Sequence, residues 1–260
     1  MSNPTTPGTL YLVPAPLDFG CDEAAPLTDV LPEHSLRTAA RLTHWVCENA
    51  KSCRAYLKRI DALHPLAAPL QQQQIAELPR EAHKKGDHGV KGSASFDAAA
   101  LLAPLLAGHD MGLVSEAGMP AVADPGSSIV RAAHEAGAPV VPLVGPVSLL
   151  LALAASGLNG QNFAFVGYVP SDATERTARL RELEQLALRQ GQTQLFIETP
   201  YRNAALLQAL LQTLQPHTRL SISSGLTLAG ARTQSQTVRQ WKADKPTLGG
   251  RTPMVFAIGR

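Results

Sequence analysis

LVSEAGMPAVADPGSSIVRAAHEAGAPVVPLVGPVSLLLALAASGL, residues 113–158, changes character several times. Met111–Val114 is a short apolar run with the length of a buried strand. It ends at Ser115, where a loop of small residues begins (Ser115-Glu116-Ala117-Gly118-Met119-Pro120) and continues to Asp124-Pro125-Gly126-Ser127-Ser128. Helical spacing over Asp124–Ala136 follows, with Gly137 placed as its C-terminal cap. Pro139–Val144 is a second apolar run with the look of a buried strand, and Leu149–Ser156 an apolar helix. A strand, a covering helix and a second strand form the unit from which a parallel sheet is built.

The same alternation extends upstream. Gly8–Val13 reads as a first buried strand that stops at Pro14-Ala15-Pro16. Pro32–Leu42 has helical spacing, Thr43–Val46 is a short strand, and Glu48–Ile60 is helical. Gln71–Ser95, with four consecutive glutamines, reads as the least structured stretch. Phe96–Ala107 then reads as a helix capped by Ser95. From Ser148 the pattern restarts. Phe163–Tyr168, Thr193–Ile197, Leu220–Ser223 and Pro253–Ile258 read as strands, and Ser235–Trp241 as a further candidate. Thr174–Gln190 and Asn203–Leu214 read as helices, the first opened by Asp172 and Glu175 at capping-box spacing. The fold class is therefore α/β, in two α/β domains. The expected boundary separates residues 1–145 from 146–260, with the hinge at Val144–Val147.

Composition excludes several classes. A chain of 260 residues, 45% hydrophobic and 17% charged, buries a sizeable core. Its three cysteines, Cys21, Cys47 and Cys53, are odd in number and lack a CxxC pair, which argues against a disulfide framework or a zinc site and for a reducing, cytoplasmic setting. Residues 1–9 lack the pattern of a secretory signal, and Val140–Ala155 is broken by prolines and a glycine, so no membrane segment is expected. Charge is uneven. Residues 1–145 hold 11 basic against 15 acidic side chains, a net of −4, and residues 146–260 hold 12 against 6, a net of +6. The basic half suits an anionic partner such as RNA, or is an ordinary Arg-rich surface.

Four loops follow expected strand ends, where open α/β sheets bind ligands. They are Pro14–Asp18, Ser115–Ser128, Val144–Ser148 and Glu198–Arg202. Small residues let a ligand approach backbone N–H and C=O groups, though turn chemistry alone explains the composition as well. His83, Lys84, Lys85 and Lys91 read as an exposed loop or as a clamp over substrate. No GxGxxG nucleotide loop is present.

Taken together, LYLVPAPLDFG, the stretch 113–158, FAFVGYVP and FIETPYRNAALLQAL resemble the tetrapyrrole (corrin/porphyrin) methylase superfamily in order and spacing. The branch they most resemble is the group of ribosomal RNA small subunit methyltransferases I, which 2′-O-methylate a cytidine. The resemblance implies a homodimer of two-domain chains, with S-adenosylmethionine in the cleft between the domains; the cysteine and histidine spacing, independently, leads us to expect no metal. It carries cofactor contacts onto Pro16, Leu17, Ser115, Glu116, Ala117, Gly118, Val147, Ser148, Thr199 and Pro200, with a further backbone contact near Ser224-Gly225 and Thr252-Pro253.

Departures from that group fall on expected acceptor surfaces. Its Glu-Asp-Thr-Arg stretch is here Cys47–Arg54, in which Glu48 survives. Its late Arg-Glu-Leu-Thr-Lys is here Ser224–Leu228, and the cations after its Phe-Leu-Pro are here Ser171–Glu175. Lost cations weaken phosphate binding. A methyltransferase for a small molecule such as a tetrapyrrole, and a cofactor-binding paralogue without turnover, therefore stand beside the RNA reading. Methyl transfer to a hydroxyl gains from a base at the attacking oxygen. Glu48 and Glu198, both after strands, are the candidates, each alternatively a member of an ion pair, with Lys51 or Arg54 and with Arg202. Lys51, Arg54, Tyr201 and Arg202 are the candidate substrate contacts.

Overall fold

The structure is a computed structural model that describes residues 6–79, 97–244, 248 and 252–260. It divides into two compact units, one of residues up to Phe19 with Ala25–Val147, the other of Gly20–Ala24 with Ser148–Arg260.

In the first unit, β1 (Leu10–Leu12), β2 (His44–Cys47), β3 (Gln74–Glu77), β4 (Met111–Val114) and β5 (Val140–Pro142) form one sheet in the order β3-β2-β4-β1-β5. Every neighbouring pair is parallel. Helices α1 (Leu27–Val30), α2 (Glu33–Arg41) and α3 (Ala50–Asp61) bury leucines, alanines, Tyr56 and Ile60 against Val13, Trp45, Cys47 and Val114. Helices α4 (Ala98–Leu101), α5 (Ala103–Leu106) and α6 (Ser127–Glu135) cover Leu10, Val46, Met111 and Leu113. The alternation of Trp45, Val46 and Cys47 between these two cores is the period of two that a strand imposes. Gly112 lies opposite Trp45, and a methyl group there would stand 2.4 Å from the indole ring. Neighbours β1 and β4 send their connections to opposite sides of the sheet, so the crevice at their carboxyl ends is the switch point where such folds bind ligands.

In the second unit, β6 (Phe163–Tyr168), β7 (Thr193–Glu198), β8 (Arg219–Ser224), β9 (Arg232–Thr237) and β10 (Met254–Gly259) form a mixed sheet ordered β6-β7-β10-β8-β9. Only β6 and β7 run parallel; the other neighbours are antiparallel. Helices α8 (Ala173–Gln190), α9 (Asn203–Thr213) and α10 (Val238–Asp244) share a core with Phe196, Leu220, Phe256 and Ile258. Helix α7 (Ser148–Ser156) packs on β8, β9 and β10. The two-domain α/β class read from the sequence is the fold observed.

Several local expectations are corrected. The last residue of the glutamine run opens strand β3, whose sheet-edge position leaves Gln74 and Glu77 exposed and so removes the apolar signal. Gln73 is buried, accepting from Trp45 Nε1 at 2.9 Å and donating to Ala68 O at 3.0 Å. The helix expected over 96–107 is broken at Leu102, because Pro104 supplies no N–H and crowds the preceding turn. Asp97 caps its first segment; the expected cap Ser95 lies outside the described residues, as do His83, Lys84, Lys85 and Lys91. Helix α6 begins at Ser127 rather than Asp124, since Gly126 at φ 131° precedes it. Strand β5 is an edge strand with Val141 exposed rather than a buried one. The segment expected as a strand from Ser235 ends it at Thr237, and Trp241 is buried in a helix.

Candidate functional site

Glu48 is not in the helix to which spacing assigned it. Asn49 accepts from the backbone N–H groups of Lys51 (2.9 Å) and Ser52 (3.2 Å), so α3 starts at Ala50 and Glu48 is left in the turn after β2. Glu77, at the end of the neighbouring strand β3, accepts from Ala50 N at 2.6 Å and completes the cap. Glu48 Oε1 accepts instead from Glu116 N at 3.2 Å, tying the turn after β2 to the loop after β4. Ser52 Oγ donates to Glu116 Oε1 at 3.2 Å. Among the described residues no ion pair joins Glu48 to Lys51 or Arg54.

These turns open onto a cavity of about 390 Å³ within the first unit, a size usual for small-molecule sites. Its lining comes from the first loop (Ala15, Pro16, Asp18, Phe19), from the end of β2 and the start of α3 (Cys47, Glu48, Asn49, Lys51, Ser52), from further along α3 (Cys53, Ala55, Tyr56, Arg59) and from Val114, Ser115 and Glu116. Arg59 fixes the first loop: it pairs with Asp18 Oδ2 at 3.0 Å and donates to Ala25 O at 2.7 Å. Tyr56 OH donates to Pro14 O at 2.7 Å, and burial pushes its phenol well above the usual range. A hydrogen bond with Cys47, together with burial, holds the Cys53 thiol above its ordinary range, so neither chemistry nor metal ligation is served by it there. Among the described residues no cluster of His, Cys, Asp and Glu has the make-up of a metal site.

Asp124, in the loop after β4 and not on the cavity's lining, is pushed up to about 7, first by burial and then by the charges of Glu48 and Glu116. Ser115 is 5% exposed, and its Oγ has no hydrogen-bond partner among the described residues. The buried hydroxyls of Ser221, Thr227 and Ser235 in the second unit are likewise without a partner among the described residues.

The expected cofactor residues of the first unit come together. Ala15 and Gly118 exchange backbone hydrogen bonds of 2.9 and 3.0 Å, joining the loops after β1 and β4. Gly118 has φ 71°, and a methyl group there would stand 3.1 Å from Leu17 and 3.5 Å from Pro146 O. Pro16, Leu17, Ser115, Glu116, Ala117 and Gly118 thus border one crevice at the ends of β1 and β4. Pro146, just before Val147, reaches the same place. The following backbone is strained: Ala121 and Ala123 both hold φ 64°. Ser148 opens α7 in the second unit.

The other expected residues lie in the second unit. Glu198 is buried. Its carboxylate pairs with Arg202 at 3.0 Å and accepts from Thr199 N at 2.8 Å and Thr199 Oγ1 at 3.2 Å. Pro200 begins a 3₁₀ turn ending at Arg202, and Tyr201 is 82% exposed. Gly225 N donates to Pro253 O at 3.4 Å, so Ser224-Gly225 and Thr252-Pro253 do meet. Lys51 is exposed on the cavity rim, while Arg54 is exposed and outside the lining. Sequence reasoning passed over Asp18, Arg59, Glu77 and Asp124 as site residues. The signal it had was the acid within the Pro14–Asp18 loop; the i, i+3 row Tyr56–Arg59 on α3 gives no sign of which wall it faces.

A family model, Tetrapyrrole (Corrin/Porphyrin) Methylases, matches residues 36–241. The chain belongs to this methylase family. Among its relatives, the ribosomal RNA small subunit methyltransferase I of Xylella fastidiosa is 32% identical over 79% of this chain and 64% of its own. That of Mesorhizobium japonicum is 30% identical over 88% of this chain and 67% of its own. The match thus spans less than two thirds of the Xylella protein. The family fold recurs in the solved methyltransferase CobJ, with TM-score 0.55 and 17% identity over 98% of this chain and 95% of that one. It recurs also in a uroporphyrin III C-methyltransferase from Thermus thermophilus, with TM-score 0.52 and 18% identity over 97% and 98% of the two chains.

Proposed function

We propose that this methylase-family chain is an S-adenosylmethionine-dependent methyltransferase of ribosomal RNA, working as a cytoplasmic homodimer. The observation that carries the cofactor reading is the crevice around Gly118. Three loops meet there, a methyl group at 118 would press on Leu17, and the adjoining Ser115 hydroxyl lacks a partner among the described residues. That crevice suits a cofactor gripped by backbone rather than by a glycine-rich phosphate loop. Pro16, Leu17, Ser115–Gly118 and Val147 of the first unit would hold it.

When bound, the cofactor supplies an electrophilic methyl group on a sulfonium. The chain's own part is to place the acceptor in line and keep water out. Glu48 is assigned as the base that takes the acceptor hydroxyl's proton, because its carboxylate lines the cavity and the Glu116 N–H fixes its rotamer. Glu198 is assigned to structure, since Arg202 and Thr199 occupy its oxygens. Lys51 at the cavity rim is the cation placed to meet a phosphate.

Calorimetric titration with S-adenosylmethionine and its demethylated product tests the cofactor; no heat at millimolar ligand overturns the proposal. Mass mapping of small-subunit ribosomal RNA, with and without the gene, tests the acceptor. A cavity with three carboxylates on its lining (Asp18, Glu48, Glu116) is a poor seat for phosphate. If the ribosomal RNA shows no difference while cofactor binds, the small-molecule reading takes its place.

A further inference from the structure

The two ends of the second unit's sheet differ. At one end β7 stops at Glu198 and β8 at Ser224, and β10 starts at Met254 beside Thr252-Pro253. The strands run about 15–20 Å to the other end, where β7 and β8 start and β9 and β10 stop. Cations collect at that other end. Arg219 opens β8, opposite Thr237 on one side and Gly259 on the other. Helix α10 starts there and carries Arg239 and Lys242, held in place by Val238 N and Arg239 N, which donate to Thr218 O and Pro216 O at 2.9 Å each. Arg189 stands in the last turn of α8, whose Leu188 carbonyl accepts from Arg260 Nε at 2.7 Å. Arg260 is thus spent on carbonyls. Arg189, Arg219, Arg239 and Lys242 are exposed, and among the described residues none of them has a side-chain hydrogen bond or an ion pair. The acids nearby do not offset them. Glu184 is 4% exposed and accepts from Gln215 N at 2.7 Å and from Thr218 Oγ1, and Asp244 accepts from Gln236 Nε2 at 3.0 Å. Other arginines of this unit do find partners: Arg179 pairs with Glu182 at 2.6 Å and Arg232 donates to Gln234 at 3.2 Å. Arg239 and Lys242 are also three apart on one helix, where like charges repel. Unpaired like charges held together attract an anion from outside.

Resting on the RNA reading, we infer that this end of the second sheet is a docking surface for the sugar–phosphate chain of RNA, at the opposite end of the strands from the turns onto which the family resemblance carries cofactor contacts. Arg219, Arg239 and Lys242 each meet a phosphate, the arginines through paired N–H groups and the lysine as a point charge. Such contacts carry no sequence information; they hold the strand and set its register. They also supply what the cavity of the first unit lacks. With Asp18, Glu48 and Glu116 on its lining, that cavity is a poor seat for phosphate, and affinity for RNA is drawn chiefly from phosphates. Grip and chemistry are thereby divided between separate surfaces of the chain.

The test measures binding of a labelled oligouridylate to the full chain by fluorescence anisotropy, across a salt series. The probe holds no cytidine and no cofactor is added, so neither acceptor recognition nor turnover enters the result. Binding that weakens with salt is expected. The triple variant Arg219→Gln/Arg239→Gln/Lys242→Gln should weaken it about tenfold or more and flatten the log–log salt slope by about 2, the share of three phosphates on a single strand. A second triple variant, Arg41→Gln/Lys58→Gln/Arg181→Gln, removes the same charge from exposed cations elsewhere. It should change affinity by less than about threefold, the part owed to net charge alone. Circular dichroism checks folding; if the first triple variant fails it, Arg239→Gln/Lys242→Gln carries the comparison. Equal losses in the two triple variants, or no binding at low salt, overturn the inference. So does capture of the chain by phosphatidylserine vesicles that the first variant abolishes while oligouridylate binding persists. Cofactor titration and mapping of ribosomal RNA are read separately, so their failure removes the methyltransferase reading without touching this result.

Discussion

Glu48 and Glu198 start from the same position in the sequence grammar: each is a glutamate where a strand gives way to a turn. The structure treats them in opposite ways. Glu198 is closed in by Arg202 at 3.0 Å and by two donors from Thr199, and its side chain is 1% exposed. Glu48 receives one backbone N–H, shares its surroundings with Glu116 and Asp124, and lines a cavity. A carboxylate whose charge is neutralised holds a loop. One that is left among like charges, beside an orphaned hydroxyl, is held for something that arrives later. Strand-end position nominates a residue, and the neighbours decide its work.

The sharpest way to break this comparison is to neutralise each glutamate in turn and read methyl transfer. Glu48→Gln should lower kcat by about 10²–10⁴-fold, the usual worth of a positioned base, with cofactor affinity retained. Glu198→Gln should change kcat by less than about tenfold, within what loosened positioning costs. Equal losses would erase the distinction drawn here between the two sites.

Stability should separate them the other way. Arg202→Met strands a buried carboxylate and should cost about 2–4 kcal/mol in urea unfolding, near the range for breaking a buried pair on one side. Lys51→Met, beside Glu48, should move the same midpoint by less than about 0.5 kcal/mol, as exposed cations usually do.

A third test concerns pH. Burial and the charges of Glu48 and Glu116 raise Asp124 to about 7 in the folded chain. The folded state then binds more protons than the unfolded state between the ordinary carboxylate pKa and about 7. This group therefore favours folding at acid pH, and that favour is lost as pH rises through the interval. Asp124→Asn should remove the loss, raising stability at pH 8 by on the order of 1–3 kcal/mol and changing it little at pH 4. A Glu48→Gln background should shrink the gain, because one of the repelling charges is gone. No such pH-dependent gain is expected from Glu198→Gln.

Much of this architecture was legible before any coordinates. The apolar runs at Met111–Val114 and Leu220–Ser223 and the spacing of Thr174–Gln190 gave strands and helices, because a buried strand or a two-faced helix writes its period into the chain. Strand β3 was not legible, since an edge strand of Gln and Glu owes its place to pairing with β2 rather than to burial. Residues that meet through long-range contact were equally hidden. Asp18 and Arg59 are 41 positions apart, and Glu48 and Glu116 are 68 apart. Spacing along one element cannot disclose such partners. The loop family around Gly118 was visible as composition, yet the bridge from Ala15 to Gly118 that makes it a crevice was not.

The smallest expected effect sharpens the comparison at the level of backbone. Gly118 and Gly225 both hold positive φ, at 71° and 58°. Alanine at either position therefore bears a similar conformational cost of about 1–2 kcal/mol. The surroundings differ. A methyl group at 118 would press on Leu17 at 3.1 Å, whereas at 225 it would sit at ordinary contact with Thr252, 3.4 Å away. Gly118→Ala should therefore lower the thermal midpoint slightly more than Gly225→Ala. In calorimetry it should also weaken S-adenosylmethionine about tenfold, with Gly225→Ala within about threefold of the unaltered chain, a gap between the two variants of at least about 0.7 kcal/mol. If Gly225→Ala weakens the cofactor as much as Gly118→Ala, the space around Gly118 does not set cofactor affinity. The crevice at the ends of β1 and β4 would then lose its claim to be the main cofactor cradle.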